Sequence, residues 1–479
     1  MFWLILLAIV LGVALLVMLI RTLLFTPKKG PKVSEQEISF DKEAAVSNLQ
    51  QLVRCKTISY KDASLEEDEE FKKLQALLPK LYPHVFEVCD LEHVDGRGLL
   101  FRWNGTVNDE MPTLLMAHYD VVPVLEEGWE KPPFEGIIED GVMWGRGTLD
   151  TKVTMNGVLF AVDHLIAKGF KPKDDVYLAF SGGEEVNGPG AENMMVRLLA
   201  RKIAPKLVVD EGGAVVEGVF PGVKRPCGLI GIAEKGMMNV RYTVKSSGGH
   251  ASAPKPGAPI ERLSKACVKL SKNPMKIYIT EPVEKMFDTL GRHASFGYRF
   301  LFANVRVFKP LLNRICKKSG GELNALLRTT IAFTQTSGSD APNVIPPQAE
   351  MISNVRVSPA DNMRYTLKCI KRFVKDPNVE IEIIDGMNPS RISRAEGEQW
   401  DKVASSVAST WKGCIVSPYL MVQCSDSRCY GPFCKSVYRF SAMDLTAEER
   451  ATIHGHNERI RLETLYKTVE FYIRLLEQC

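Results

Sequence analysis

Three short apolar runs in this sequence each lead into groups that ionise. Leu114-Leu115-Met116-Ala117 runs into His118-Tyr119-Asp120, Val176 to Phe180 runs through Ser181-Gly182-Gly183 into Glu184-Glu185, and Leu207-Val208-Val209 runs into Asp210-Glu211. Continuous apolar runs of this length read as strands buried on both faces, which belong to a mostly parallel sheet covered by helices. In such an open sheet, ligands bind beyond the carboxyl ends of the strands, so one architecture would bring these polar groups together. A fourth acid, Asp150, follows the Gly145-Arg146-Gly147 loop and opens the next helix. One acid after a strand reads as a solvated helix cap. Four such placements with a histidine favour a metal site, and imidazole with carboxylates suits zinc, with manganese or cobalt as alternatives.

The rest of the chain fits that sheet. Strands are expected at 113–117, 176–180 and 206–209, and a helix from Lys152 to Lys168 places Val158, Val162, Leu165 and Ile166 on one face before Gly169 stops it. The pattern changes near Gly231. Strand 237–245, helix 260–270, strand 329–336, strand 349–357, helix 363–374 and strand 379–384 spell β-α-β-β-α-β, a ferredoxin-like α+β unit inserted into the first. The expected organisation is a membrane anchor over 1–25, a linker over 26–40, a catalytic domain over 41–230 and 389–479, and an inserted lid over 231–388. A homodimer contact is expected through the lid.

Charge narrows the function classes. The 61 Lys and Arg exceed the 57 Asp and Glu by four, and Arg21, Lys28, Lys29 and Lys32 all precede the first acid, Glu35. The body is therefore neutral, which argues against a nucleic-acid partner.

Met1 to Ile20 carries no charge, and about twenty apolar residues at 1.5 Å each match the hydrocarbon thickness of a bilayer. With no basic residue before the run and no small-residue cleavage site after it, a single-pass uncleaved anchor is preferred to a signal peptide. The basic cluster after the span reads as cytoplasmic. The acceptor sequence Asn104-Gly105-Thr106 reads the other way, and a lumenal or extracellular body is the expectation taken. Eleven cysteines, an odd number, leave thiols and disulfides both open.

Seven ordered motifs then resemble a known family: His118-Tyr119-Asp120-Val121-Val122-Pro123, Gly145-Arg146-Gly147-Thr148-Leu149-Asp150, Glu184-Glu185-Val186, Asp210-Glu211-Gly212-Gly213, Gly248-Gly249-His250-Ala251-Ser252, Asn343-Val344-Ile345-Pro346 and Ile453-His454-Gly455. They are similar to the dinuclear zinc metallohydrolases that include aminoacylase, vacuolar carboxypeptidase S and bacterial glutamate carboxypeptidase, and the likeness covers nearly everything after residue 40. The branch with carboxypeptidase S and the N-acyl amino acid hydrolases looks closest. The resemblance implies a zinc-peptidase-like fold and two zinc ions, one held by His118, Asp150 and Asp210 and the other by Asp150, Glu185 and His454. It also implies that Asp120 orients His118, that Glu184 is the general base acting on a zinc-bridged water, that His250 stabilises the oxyanion, and that Asn343 and Arg356 anchor a substrate carboxylate. The implied activity is hydrolysis, reversible in principle, of the amide bond of N-acyl amino acids or small peptides with a free carboxylate. A Gly-X carboxypeptidase and a catalytically silent metal-binding ectodomain are the rivals. His456, two residues past His454, is read as a neighbour.

Three departures from the family pattern stand out: Gly182-Gly183 where His-Asp is usual, Thr151 where an acid or amide follows the bridging Asp, and Gln423-Cys424-Ser425 ahead of Asp426. They touch the surroundings of the site and leave every ligand and the base in place. Finally, Phe296, Tyr298, Phe300 and Phe302 recur at every second position, as on one face of an extended segment. That face either packs the insertion onto its own domain or walls an acyl chain.

Overall fold

The computed structural model describes residues 1–107, 111–218 and 220–479. In chain order, β1 (Asp90–Val94), β2 (Gly98–Trp103), β3 (Thr113–His118), β4 (Val176–Ser181), β5 (Leu207–Val216) and β6 (Cys227–Glu234) enter a large sheet. A smaller sheet follows from β7 (Gly236–Lys245), β8 (Thr330–Ser337), β9 (Gln348–Val357) and β10 (Glu380–Met387), after which β11 (Ile415–Met421) and β12 (Val437–Leu445) return to the first. The large sheet has the order β1-β2-β4-β3-β5-β12-β6-β11. Its centre is parallel, at β4 with β3, β3 with β5 and β5 with β12, and the β1–β2 edge is antiparallel. Every residue of β3 and β4 is buried, as the continuous apolar runs require. At about 1.5–3 kcal/mol per buried large apolar side chain, Leu114, Leu115 and Leu178 anchor the strands whose ends carry the polar groups.

Helices cover both faces. They include α1 (Phe2–Leu24), α2 (Lys42–Val53), α3 (Lys152–Ala167), α4 (Pro259–Lys272), α5 (Glu281–Gly291), α6 (Phe296–Ala303), α7 (Lys309–Ser319), α8 (Gly321–Leu327), α9 (Met363–Val374), α10 (Glu398–Thr410) and α11 (Leu462–Leu476). Helix α3 packs on α11 at Gly157, where a Cβ would come within 2.8 Å of Thr468. The returning C-terminal segment is thereby locked into the core formed by the first part of the chain.

The smaller sheet has the order β8-β9-β7-β10 and is covered by α4 and α9, giving the expected β-α-β-β-α-β unit. Its β9 alternates buried and half-exposed residues, the signature of a sheet with one face in a core. Two details differ from the sequence reading. Strand β6 stays in the large sheet through Glu234, past the change of pattern read near Gly231, and β7 of the smaller sheet begins at Gly236. The helices α5 to α8 pack against β6 and β11 of the catalytic layer: Met286, Phe287, Leu290, Phe302 and Leu326 share one core with Leu229, Ala233 and Tyr419.

The aromatic stripe is also corrected. Phe296, Tyr298, Phe300 and Phe302 lie in helix α6, where residues two apart point roughly 200° away from each other and share no face. Phe302 is buried, Phe300 is half-buried against Phe308, and Phe296 and Tyr298 are exposed.

Helix α1 is long and apolar enough to cross a membrane. Its last turn is docked, with Thr22 fully buried and the Asn304 amide donating to the Met18 carbonyl at 3.2 Å. The 26–40 segment contains neither helix nor strand yet is tied to the body, through Lys28 on Asp288 at 2.9 Å and the Ser34 amide on Ser409 at 2.9 Å. Among the described residues all eleven cysteines are free thiols.

Candidate metal centre

Parallel pairing sets His118 beside Ser181, so the end of β3 and the turn after β4 emerge side by side. His118 Nδ1 lies 3.0 Å from the Asp120 carbonyl oxygen and 3.4 Å from its carboxylate. The same carboxylate accepts from the backbone N–H of Glu184 at 3.1 Å and of Glu185 at 3.2 Å. Asp120 therefore orients one imidazole and fixes the turn carrying two acids.

The other nitrogen, His118 Nε2, is 3.1 Å from Asp150 Oδ1 and 3.5 Å from Glu211 Oε1. His454 Nε2 is 2.9 Å from Asp150 Oδ2 and 3.1 Å from Glu185 Oε2. Ligands about 2.0–2.1 Å from a tetrahedral zinc stand about 3.3 Å from one another. Two groups with that spacing thus meet at Asp150, which offers one oxygen to each. Atoms of His118, Glu184 and Glu211 form a further group lying mutually within 4.8 Å.

Asp150 and His454 are held from behind by a residue that the sequence reading did not single out. Glu458 is fully buried, and its Oε1 accepts from the N–H of Gly147 at 3.0 Å, Leu149 at 2.7 Å and Asp150 at 3.2 Å. Its Oε2 takes the Arg146 guanidinium at 2.6 Å, and Arg146 in turn donates to the Gly455 carbonyl at 2.7 Å. Nothing local in the sequence marks Glu458 for this; its partners lie more than 300 residues away.

The resemblance gave the fifth ligand position to Asp210, whereas the geometry brings its neighbour Glu211 to His118. Asp210 Oδ2 accepts from the Ser427 N–H at 2.8 Å and serves the floor of the site. The cause is a bulge. Pairing of β5 with β12 jumps from Asp210–Arg439 to Gly213–Phe440, which leaves Glu211 and Gly212 outside the ladder and re-aims the Glu211 carboxylate. The floor continues through Asp426, which accepts from the Ser181 hydroxyl, and through Ser425, whose N–H donates to Glu234 at 3.1 Å. Glu234 is paired with Arg439 at 2.5 Å, and both are fully buried. The Gln423-Cys424-Ser425 departure is thus built into a buried polar network around Glu234. At Gly182, a Cβ would lie 2.8 Å from the Tyr119 ring, so this chain has no room there for the usual histidine.

The electrostatics of the cluster show its demand for cations. Burial pushes Glu184 well above the usual carboxylate range, raises Glu185, and lifts Glu211 to about 8 and Asp426 to about 7. Burial works against Asp150 too, but contacts to His118 and His454 hold it well below that range. Contacts to Asp150 and Glu185 lift His454 to about 10. Crowded, dehydrated carboxylates of this kind need protons or metal ions, and the imidazole and oxygen donors fit two divalent ions.

The lid residues divide. Arg356 on β9 faces the floor, with Nη1 3.5 Å from Cys424 Sγ and Nε donating to Asn354 at 3.1 Å. His250 and Asn343 are neighbours at an exposed two-strand tip, where the Ala251 N–H donates to the Asn343 carbonyl at 2.9 Å. Among the described residues, no hydrogen bond or ion pair joins them to the carboxylate cluster. His456 packs its ring over Gly128, outside the cluster.

A cavity of about 340 Å³ lies between α5, α6, α7, α8 and the sheet, lined by Phe220, Leu290, Phe302, Leu323, Leu326 and Tyr419 among others. Its polar end is Tyr419, which donates to Glu322 at 3.1 Å.

Comparison with known proteins gives the family and the fold. Residues 114–478 match the model of peptidase family M20/M25/M40. The chain is 33% identical over 477 residues to probable carboxypeptidase S-like 2 of Dictyostelium discoideum, covering 97% of this chain and 91% of that one. It is 32% identical over 442 residues to the N-fatty-acyl-amino acid synthase/hydrolase PM20D1 of Xenopus tropicalis, covering 91% and 86%. In fold it is similar to the M20 family metallo-carboxypeptidase Sso-CP2 of Sulfolobus solfataricus, with a TM-score of 0.64, 19% identity and coverage of 90% of this chain and 98% of that one. With the family model covering most of its length, the chain belongs to peptidase family M20.

Proposed function

We propose that this protein hydrolyses the amide bond of N-acyl amino acids or small peptides with a free carboxylate, using two zinc ions held by His118, Asp150 and Glu211 and by Asp150, Glu185 and His454. The observation that carries this reading is the pair of ligand-spaced groups sharing Asp150, with Glu184 beside them. Two divalent ions there supply Lewis acidity to the amide carbonyl and lower the pKa of the attacking water. Glu184 takes that water's proton and delivers it to the leaving nitrogen; its raised affinity for a proton, caused by burial, suits both halves of the transfer. Asp120 keeps His118 oriented and the Glu184-Glu185 turn in place. Arg356 is the proposed anchor for the substrate carboxylate, with Asn343 and His250 contributed by the lid tip. The apolar cavity is the proposed seat of an acyl group on the substrate: Tyr419 of β11 lines it, and Asp426 follows the end of that strand by five residues. The name of the Dictyostelium relative favours a carboxypeptidase as the second reading.

In the same reading α1 is a single-pass membrane anchor, and the outer edges of β8 and β10 are open to a second copy. The test is a hydrolysis panel on the full chain and on Glu184→Gln, with metal content measured on both. Turnover of acyl amino acids, lost by about 10²-fold or more in Glu184→Gln with both ions retained, is the expected outcome. Cleavage of Gly-X dipeptides alone would favour the carboxypeptidase. Metal binding without any turnover would favour the silent ectodomain.

A further inference from the structure

Between Asp288 and Glu322 the chain contains no acid, while Arg292, Arg299, Arg306, Lys309, Arg314, Lys317 and Lys318 give it seven positive charges. The body as a whole is neutral, so this run of seven is balanced by acids elsewhere in the chain. Two of the seven are neutralised, Arg292 by Asp288 at 2.8 Å and Arg306 by Glu284 at 2.7 Å. Among the described residues, Arg299, Lys309, Arg314, Lys317 and Lys318 form no ion pair. The same stretch exposes large apolar side chains, with Phe296 51%, Tyr298 47%, Val307 57%, Leu311 44% and Ile315 41% accessible. On α7, Leu311, Arg314, Ile315 and Lys318 follow the i, i+3, i+4, i+7 spacing of a single helix face, and all four are exposed.

The position of this surface is fixed by α1. The Asn304 amide, just after α6, donates to the Met18 carbonyl at 3.2 Å and to the Thr22 hydroxyl at 3.3 Å. The Arg292 guanidinium stacks 4.3 Å over the Phe25 ring. If α1 spans a bilayer over its uncharged first twenty residues, about 30 Å at 1.5 Å per residue, its contact with α6 lies at the interfacial end of the span. The exposed Phe296 and Tyr298 of α6 and Leu311, Arg314, Ile315, Lys317 and Lys318 of α7 then stand at headgroup level. Basic residues interleaved with aromatic and aliphatic ones are what an anionic lipid surface selects.

From this geometry we infer that α6 and α7 form a second membrane contact, a surface that lies on an anionic bilayer and holds the catalytic body against it. The inference rests on the reading of α1 as an anchor. Tyr298 and Ile315 belong to this surface and also line the apolar cavity, so the cavity opens where the surface meets lipid. Anionic lipids concentrate in cytoplasmic leaflets, which sets this inference against the lumenal expectation drawn from Asn104-Gly105-Thr106.

The test uses the full chain in nanodiscs of phosphatidylcholine, with and without phosphatidylserine, with acyl chains brominated as quenchers. A Phe296→Trp substitution in a Trp3→Phe background places the reporting indole, whose emission is read as the difference from that background because five other tryptophans remain. The expected result is loss of its emission, greater with phosphatidylserine, the excess disappearing at high salt. Arg314→Gln/Lys317→Gln/Lys318→Gln should abolish that excess while leaving hydrolysis of a soluble acetyl amino acid unchanged. An unquenched indole in a chain that co-elutes with the discs overturns the inference and leaves the anchor standing. A chain that does not enter discs defeats the anchor reading instead. Its sedimentation with phosphatidylserine vesicles then decides: binding weakened on the order of a hundredfold by the triple substitution upholds the surface, and no binding overturns it.

Discussion

The Arg146 guanidinium meets the Glu458 carboxylate at 2.6 Å in a place where both are almost wholly excluded from solvent, and the pair ties together the loops that carry Asp150 and His454. Removing one partner of a buried pair costs about 3–5 kcal/mol, because the other charge stays buried without compensation. Glu458→Gln should therefore lower the melting temperature and also release metal, since Asp150 and His454 lose their fixed separation. Thermal melting together with metal analysis reads both. A variant with unchanged metal content would show that the two loops hold their positions without this pair.

The bulge in β5 makes a prediction that separates two adjacent acids. Glu211→Ala should bind one ion in place of two, because the group facing His118 is gone. Asp210→Asn keeps an acceptor for the Ser427 N–H, so both ions should stay bound with affinity reduced by no more than about 10–100-fold. Metal stoichiometry of the two purified variants decides the matter. Loss of an ion from Asp210→Asn but not from Glu211→Ala would return the ligand role to Asp210.

At the crossing into the lid, Lys235 is fully buried, and its ammonium donates to the carbonyls of Ala325 and Arg328, both at 2.8 Å. Burial pushes its pKa down from 10.5 to about 7, with nearby Arg356 acting in the same direction and Asp361 opposing. The folded-state value is the lower one, so between about pH 7 and 10.5 the unfolded chain binds more protons than the folded chain. Stability contributed by this group therefore rises with pH across that window, by at most about 1.4 kcal/mol per unit. Below about pH 7 the full penalty of a buried charge applies. Urea unfolding of the wild type and of Lys235→Met at several pH values should show a slope that the substitution flattens. Parallel slopes would mean that Lys235 stays charged throughout.

Much of this was legible in the sequence, for identifiable reasons. Strands β3 and β4 are buried on both faces, so their apolar runs were unbroken, and the lid elements fell within a few residues of their expected bounds because each alternates or repeats on one face. His118, Asp120, Asp150, Glu184, Glu185 and His454 converge because strand ends and the loops next to them form the site. What stayed hidden depends on tertiary structure. Whether Asp210 or Glu211 faces inward is set by a bulge against Arg439 and Phe440, which lie in a strand far along the chain. The helical state of Phe296 to Phe302 is decided by Phe302 packing on Phe220 at 4.6 Å, a contact that alternation cannot register. Docking of the 26–40 segment relies on Asp288 and Ser409, which its Lys, Pro and Gly composition does not reveal.

The helical form of that aromatic stretch moves the test of acyl-chain binding to another residue. Phe300 packs on Phe308 with ring centroids 5.7 Å apart and does not line the cavity, so truncating it reports on helix packing. Leu323 does line the cavity and is only half-buried, which lets a larger side chain enter without breaking the core. Leu323→Trp should fill part of the space and leave the metal centre intact. If the cavity takes the acyl chain, each methylene excluded from it forfeits about 0.8 kcal/mol, close to fourfold in kcat/KM. Long-chain acyl amino acids should then lose activity progressively with length, while acetyl amino acids keep theirs. The ratio of kcat/KM between the longest and shortest acyl substrates is the quantity to follow. An equal loss at every length would assign the cavity to folding, and no loss at any length would place the acyl chain elsewhere.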